Sequence, residues 1–206
     1  MSKIKFISQM AFILLALAFT FACLSDNSVT LTHGNQEYKI VKIGNQTWFA
    51  ENLNYAVDGS KCYANLESNC EKYGRLYDWS AAMTVCPKGW HLPSNADWDD
   101  LFLYVEDEGY YAGSPYSSLT AGKHLKAKAG WNEGGNGTDK YGFSALPGGG
   151  SFSDSFYDVG YGGRWWSSSE NNNGYAYLRL MSCHRERAYW GDDVKSYLFS
   201  VRCLKD

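Results

Sequence analysis

Six cysteines and four histidines are the side chains of this 206-residue chain best suited to bond-making chemistry, and their spacing limits what they could do. Cys183 and His184 are adjacent, and a thiol beside an imidazole base is the core of a cysteine nucleophile. Neighbouring residues of a strand point to opposite faces, so a strand at this point would hold the two apart. No C-x-x-C occurs and the histidines are scattered, which argues against a Cys/His metal centre. The loop Trp131-Asn-Glu-Gly-Gly-Asn-Gly-Thr-Asp-Lys140 offers a harder set of donors. Asn132, Glu133, Asn136 and Asp139 carry the oxygen atoms that a calcium ion takes. The plainer reading of the same residues, a solvated turn, weighs more. A structural calcium is thus the one cofactor in prospect. H-E-x-x-H, G-x-S-x-G, a Walker loop and G-x-G-x-x-G are all missing from the sequence, so no catalytic residue is assigned. His91, ahead of Leu92-Pro93, reads as a hydrogen-bonded structural histidine.

Recognition has more material. Aromatic residues make up 17% of the chain, and many fall in the polar stretches 151–163, 171–174 and 185–193. Phe156, Tyr157, Tyr161, Tyr189 and Trp190 stand there near Arg164, Glu170, Asn171, Asn172 and Arg185. Exposed Tyr and Trp among adaptable polar neighbours suit a protein partner. They suit sugars equally, because the apolar C–H face of a sugar ring stacks on an aromatic ring while amides bind its hydroxyls. At least half of these rings are expected to fill the core instead.

The elements that must position these residues begin after an export signal. Lys3 and Lys5 precede the apolar run Met10-Ala-Phe-Ile-Leu-Leu-Ala-Leu-Ala-Phe19, and Thr20 and Ala22 supply small residues before Cys23. The run is too short for a permanent span. Cys23, as the first mature residue, resembles the cysteine of a bacterial lipobox, whose thiol takes lipid. Residues 1–22 are therefore read as a lipoprotein-type signal, 23–36 as a flexible tether and 37–206 as the folded domain. The partner at that end is the membrane, and the location a lipid-anchored place in the cell envelope, at the outer membrane or cell surface. A formal charge of −3 with no Lys/Arg-rich run excludes nucleic acid as a partner class.

An exported chain is expected to pair its thiols. Without Cys23, five cysteines remain. Cys62–Cys70 would close a small loop, and Cys86–Cys203 would tie the middle of the chain to its tail. Cys183 is left over, with a buried thiol, a mixed pairing and an intermolecular link all open to it.

Alternation over 37–43 and 46–50 around Gly44-Asn45 predicts a hairpin. Residues 71–86 read as a helix with Leu76, Trp79 and Met83 on one face. Pro93 then turns the chain, Ser94 caps a helix with Asp97 three residues on, and Trp98, Leu101, Phe102 and Val105 form its apolar face. Gly109 is its expected stop. A short helix over 120–129 and strands over 143–146, 164–169, 175–181 and 197–203 complete the reading. Helices ahead of short antiparallel strands predict an α+β domain.

Several stretches carry a family resemblance. Gly89-Trp-His-Leu-Pro-Ser-Asn-Ala-Asp-Trp98 resembles the central signature of the Fibrobacter succinogenes major paralogous domain. Ile43-Gly-Asn-Gln-Thr-Trp-Phe-Ala-Glu-Asn-Leu-Asn-Tyr55, Tyr73-Gly-Arg-Leu-Tyr-Asp-Trp79, Tyr141-Gly-Phe-Ser-Ala-Leu-Pro-Gly148, Trp165-Trp-Ser-Ser-Ser-Glu170 and Phe199-Ser-Val-Arg-Cys203 match its other marks. Residues 91–98 are also similar to an element of formylglycine-generating enzymes, which implies a C-type-lectin-like fold. That family's copper-binding cysteines find no residue-by-residue match, so its oxidase activity is not carried over. The expected function is a non-catalytic envelope domain that binds a polysaccharide or a surface protein. The alternatives are an enzyme of the formylglycine-generating kind with a divergent site, and a purely structural envelope protein.

Overall fold

Gly44 and Asn45 reverse the chain between two β-rich runs, and in the computed structural model those runs pair as expected. The structure describes residues 29–106 and 118–206. The export segment, Cys23 and the helix stop at Gly109 lie outside them. In chain order the elements are β1 (Thr30–His33), β2 (Gln36–Ile43), β3 (Gln46–Phe49), β4 (Ser60–Lys61), α1 (Glu67–Tyr73), β5 (Leu76–Tyr77), α2 (Trp79–Ala82) and β6 (Trp90–His91). Then come α3 (Asn95–Val105), α4 (Ala121–Leu125), β7 (Gly150–Phe152), β8 (Ser155–Tyr157), β9 (Gly162–Asn172), β10 (Tyr175–Ser182), β11 (Ala188–Val194) and β12 (Leu204–Lys205).

The described residues are mostly sheet with few helices. A five-stranded antiparallel sheet runs β1-β2-β3-β12-β6, and a three-stranded one runs β11-β10-β9. The two-stranded antiparallel pair β4–β5 and the hairpin β7–β8 form separate small sheets. The last strand slots between early ones, with Leu204 opposite both Trp48 and His91. Cys86 bonds Cys203 beside this insertion, and Cys62 bonds Cys70. His91 Nδ1 lies 2.7 Å from Asp206 Oδ1, so this histidine fastens the tail.

Adjacent strand residues feed two separate cores, because period-2 side chains leave opposite faces. Trp48, Trp165, Met181 and Leu204 join the apolar face of α3 in one core. Phe49, Trp166, Leu178 and Cys203 join Tyr38, Tyr77 and Phe199 in the other. Helix α3 follows its sequence signals closely. Ser94 Oγ accepts from Asp97 N, and the Asp97 carboxylate accepts from Ser94 N at 2.8 Å, a complete capping box. Trp98, Leu101, Phe102 and Val105 are all buried.

Other elements depart from expectation. Residues 71–86 are not one helix. Gly74, at φ +76°, ends α1 because a Cβ there would lie 2.7 Å from Asn52 Cβ, and L side chains avoid that backbone region. Arg75 N then donates to Leu53 O, and Asp78 caps the separate turn α2. Met83 is consequently exposed rather than on an apolar face. The folded part starts earlier than the tether reading placed it, since Thr30–His33 pairs with β2. Residues 143–146 form only an isolated bridge, Ala145 with Lys126, because the Phe143 and Ser144 carbonyls accept from Arg202 instead. Residues 197–203 are extended but bridge three different neighbours, Tyr77, Ser151 and Trp165, so no ladder forms. The stretch 185–193, read as loop, supplies most of strand β11. Helix 120–129 shrinks to Ala121–Leu125. Among the described residues no helix is long and apolar enough to cross a membrane.

Candidate binding surface

The sheet β11-β10-β9 decides which of the aromatic and polar residues can act together. Cross-strand partners share a face, and Arg179 stands opposite Trp190 on one side and Trp165 on the other. Tyr177, two residues from Arg179, shares that face and pairs with Asp192. Leu180 belongs to the opposite face, together with its partners Tyr189 and Arg164. The surface expected from the sequence is therefore two surfaces back to back.

The first holds a cavity of about 130 Å³ lined by Asn95, Tyr177, Arg179 and Trp190. Its floor is the Arg179 guanidinium, 1% exposed, whose Nη1 donates to Asn95 Oδ1 at 2.9 Å and whose Nη2 donates to Asp99 Oδ1 at 2.8 Å. A buried cation needs such partners, and here the first turns of α3 supply them. The Trp190 and Tyr177 rings meet edge to face with centroids 5.8 Å apart, and Trp190 remains 39% exposed. At the rim the Tyr177 hydroxyl donates to Asn171 Oδ1 at 3.2 Å, and Asn171 Nδ2 donates to Asp192 Oδ2 at 3.1 Å. The space is well below the ~300 Å³ of an ordinary small-molecule pocket, so it suits one ring-sized group.

The second surface holds Arg164, bonded to Asp158 at 2.7 Å and set over the Tyr157 ring at 5.0 Å. Burial pushes the Tyr157 hydroxyl up to about 12, with Arg164 opposing the rise. A cavity of about 240 Å³ lies here beside Tyr161 and His184. A wider, more open groove of about 580 Å³ runs past His33, Tyr55, Glu67 and Arg75.

Of the residues singled out from the sequence, Trp190 and Asn171 meet at the first surface. Tyr157, Tyr161, Arg164 and Tyr189 fall at the second. Phe156 packs on Tyr63 with centroids 5.1 Å apart. Glu170 pairs with Lys195, Asn172 closes the β9–β10 turn by accepting from Gly174 N and Tyr175 N, and Arg185 is exposed between β10 and β11. Tyr177, Arg179, Asn95 and Asp192 were missed. The alternation Tyr175, Tyr177, Arg179 along one strand was the available signal.

The oxygen-donor loop serves several local contacts. Asn136 Oδ1 accepts from Trp131 N at 3.0 Å, Asp139 accepts from Ser144 N at 2.7 Å, and the Asn132 carboxamide lies against Gly160. Glu133 pairs with His184 at 3.3 Å. Among the described residues Cys183 is buried and joins no disulfide, in keeping with the first of its three fates. It lies with His184 in the turn after β10, so the strand rule that separated the two does not apply. Cys203 is held in its disulfide.

Fold and surface together define a disulfide-stapled, mostly-sheet domain that presents an aromatic cleft above a buried arginine. The chain belongs to the Fibrobacter succinogenes major domain family, whose model matches residues 41–205. No curated protein and no solved structure matches the chain.

Proposed function

We propose that this chain is an exported, lipid-anchored and non-catalytic binding protein of the cell envelope, which seats one sugar unit of a polysaccharide on Trp190, beside Tyr177. The observation that carries the reading is the exposed Trp190 ring, paired with the half-buried Tyr177, over the Arg179 floor. A sugar ring would stack its C–H face on the indole. Asn171 and Asp192 at the rim offer amide and carboxylate partners for hydroxyl groups. Residues 1–22 and Cys23 would deliver and anchor the domain, and the mass of lipid on Cys23 tests that part. The late antiparallel sheet and the stapled tail support a lectin-like architecture.

Titration of the purified chain with soluble oligosaccharides, followed by tryptophan fluorescence, tests the site. Trp190→Ala should weaken binding roughly tenfold or more, as loss of a central aromatic anchor does. Its stability should fall by only about 2–4 kcal/mol, because the ring is already partly solvated, and the chain should stay folded. Saccharide binding that ignores this substitution would overturn the assignment. Tyr175, exposed on the same strand face, favours a second reading in which a surface protein covers the whole face. Tyr175→Ala separates the two, since a single sugar over Trp190 does not reach it.

A further inference from the structure

We propose that Glu133, Cys183 and His184 form a binding site for a borderline divalent transition ion of the zinc class. This stands independently of the sugar site. The Sγ of Cys183, a ring nitrogen of His184 and a carboxylate oxygen of Glu133 all lie within 4.8 Å of one another. Bonds of ~2.0–2.3 Å from a tetrahedral zinc place its donors roughly 3.3–3.7 Å apart. His184 Nδ1 and Glu133 Oε2 already meet that spacing at 3.3 Å. Both side chains are more than half exposed, 59% and 56%, so they can close the remaining distance onto the sulfur. Thiolate, imidazole and carboxylate together select a borderline ion over calcium, which takes oxygen donors alone. The exposed side of the triad leaves a fourth position for water or an outside ligand.

The two segments that carry these donors are fixed to one frame. Asn132 N donates to Gly160 O at 2.8 Å, and Cys183 N donates to Tyr161 O at 2.9 Å, so adjacent residues hold both. Gly135 lets the Glu133 turn lie directly on the thiol segment, because a Cβ there would come within 2.4 Å of Cys183 Cα. Lys126 Nζ brackets the Cys183-His184 turn from beneath, donating to Ser182 O at 3.0 Å and Arg185 O at 2.9 Å. The triad Cys62, Glu67 and Cys70 is as close, but its sulfurs are joined to each other and offer no thiolate.

The full-length chain, stripped with chelator and kept free of reductant, is titrated with Co²⁺ and then Zn²⁺. The expected result is one equivalent of cobalt with a thiolate-to-cobalt charge-transfer band that zinc displaces. Cys183→Ser should abolish the band, and Glu133→Gln or His184→Ala should weaken cobalt binding roughly tenfold or more. Absence of the band in a chain whose near-ultraviolet circular dichroism shows it folded would overturn the proposal. So would a band that persists in Cys183→Ser. If the His184→Ala and Glu133→Gln variants bind as the parent does, the thiol acts without them and the proposal falls.

Discussion

Arg202 lies wholly inside the protein, and its guanidinium is held on every side. Nε donates to Asn52 Oδ1 at 2.9 Å, Nη1 to the carbonyls of Phe49 and Phe143, and Nη2 to Ser144 O at 3.0 Å. The Phe143 ring covers it at 4.4 Å. Burial lowers its pKa to about 9, which leaves it charged at neutral pH. Asn52 Oδ1 also accepts from Trp165 Nε1 at 2.8 Å, so three of the sequence stretches that carry the family resemblance meet at one carboxamide. Those signature residues hold the fold together, and this is why they indicate an architecture without naming a ligand. Arg202→Ala would strand three carbonyl groups in a dry core. It should cost about 3–5 kcal/mol, read as a fall in denaturant midpoint. Arg202→Lys keeps the charge but not the planar fork, and should recover only part of the loss. A lysine variant as stable as the parent would show that charge alone suffices there.

Helix α3 is the element whose sequence and structure agree best, and its cap can be measured. Ser94→Ala removes the acceptor for Asp97 N and should cost about 1 kcal/mol in thermal or chemical unfolding. Asp97→Ala should cost a similar amount, and the double variant less than the two together, because each single change already breaks the reciprocal box. Additive losses would mean that the two caps act separately. This helix and the β2–β3 hairpin were legible because their signals are local: a turn pair, a cap, an apolar period. Strand β11 was not, since Gly191, Asp192 and Asp193 have poor strand propensity and pair only because β10 offers a partner. The break at Gly74 was hidden for the same reason, as it depends on Asn52 lying against that glycine. At the binding surface the aromatic and amide residue types were legible. Which face each occupied was not, because the register of β10 against β9 and β11, bulged near Ala176 on the β9 side, decides it.

For the molecule as a whole, the decisive feature is that β12 closes the five-stranded sheet from the far end of the chain. The Cys86–Cys203 bond spans 117 residues, and the loop it closes contains α3, both faces of the β9–β11 sheet and the proposed metal triad. Cys62–Cys70 spans only 8. In the chain-entropy description the long closure restrains the unfolded chain by about 5 kcal/mol and the short one by about 2.5 kcal/mol. Cys86→Ser with Cys203→Ser should therefore lower the melting temperature about twice as far as Cys62→Ser with Cys70→Ser. For a chain of this size the larger change corresponds to a drop of roughly 10–20 °C. The contrast between the two double variants matters more than either value, because packing losses from four buried or half-buried sulfurs are similar in kind. Equal drops would mean that the tail is held chiefly by its pairing with Trp48 and His91. The aromatic cleft would then keep its shape without the staple, since Arg179 and α3 are joined by side chains that neither disulfide touches.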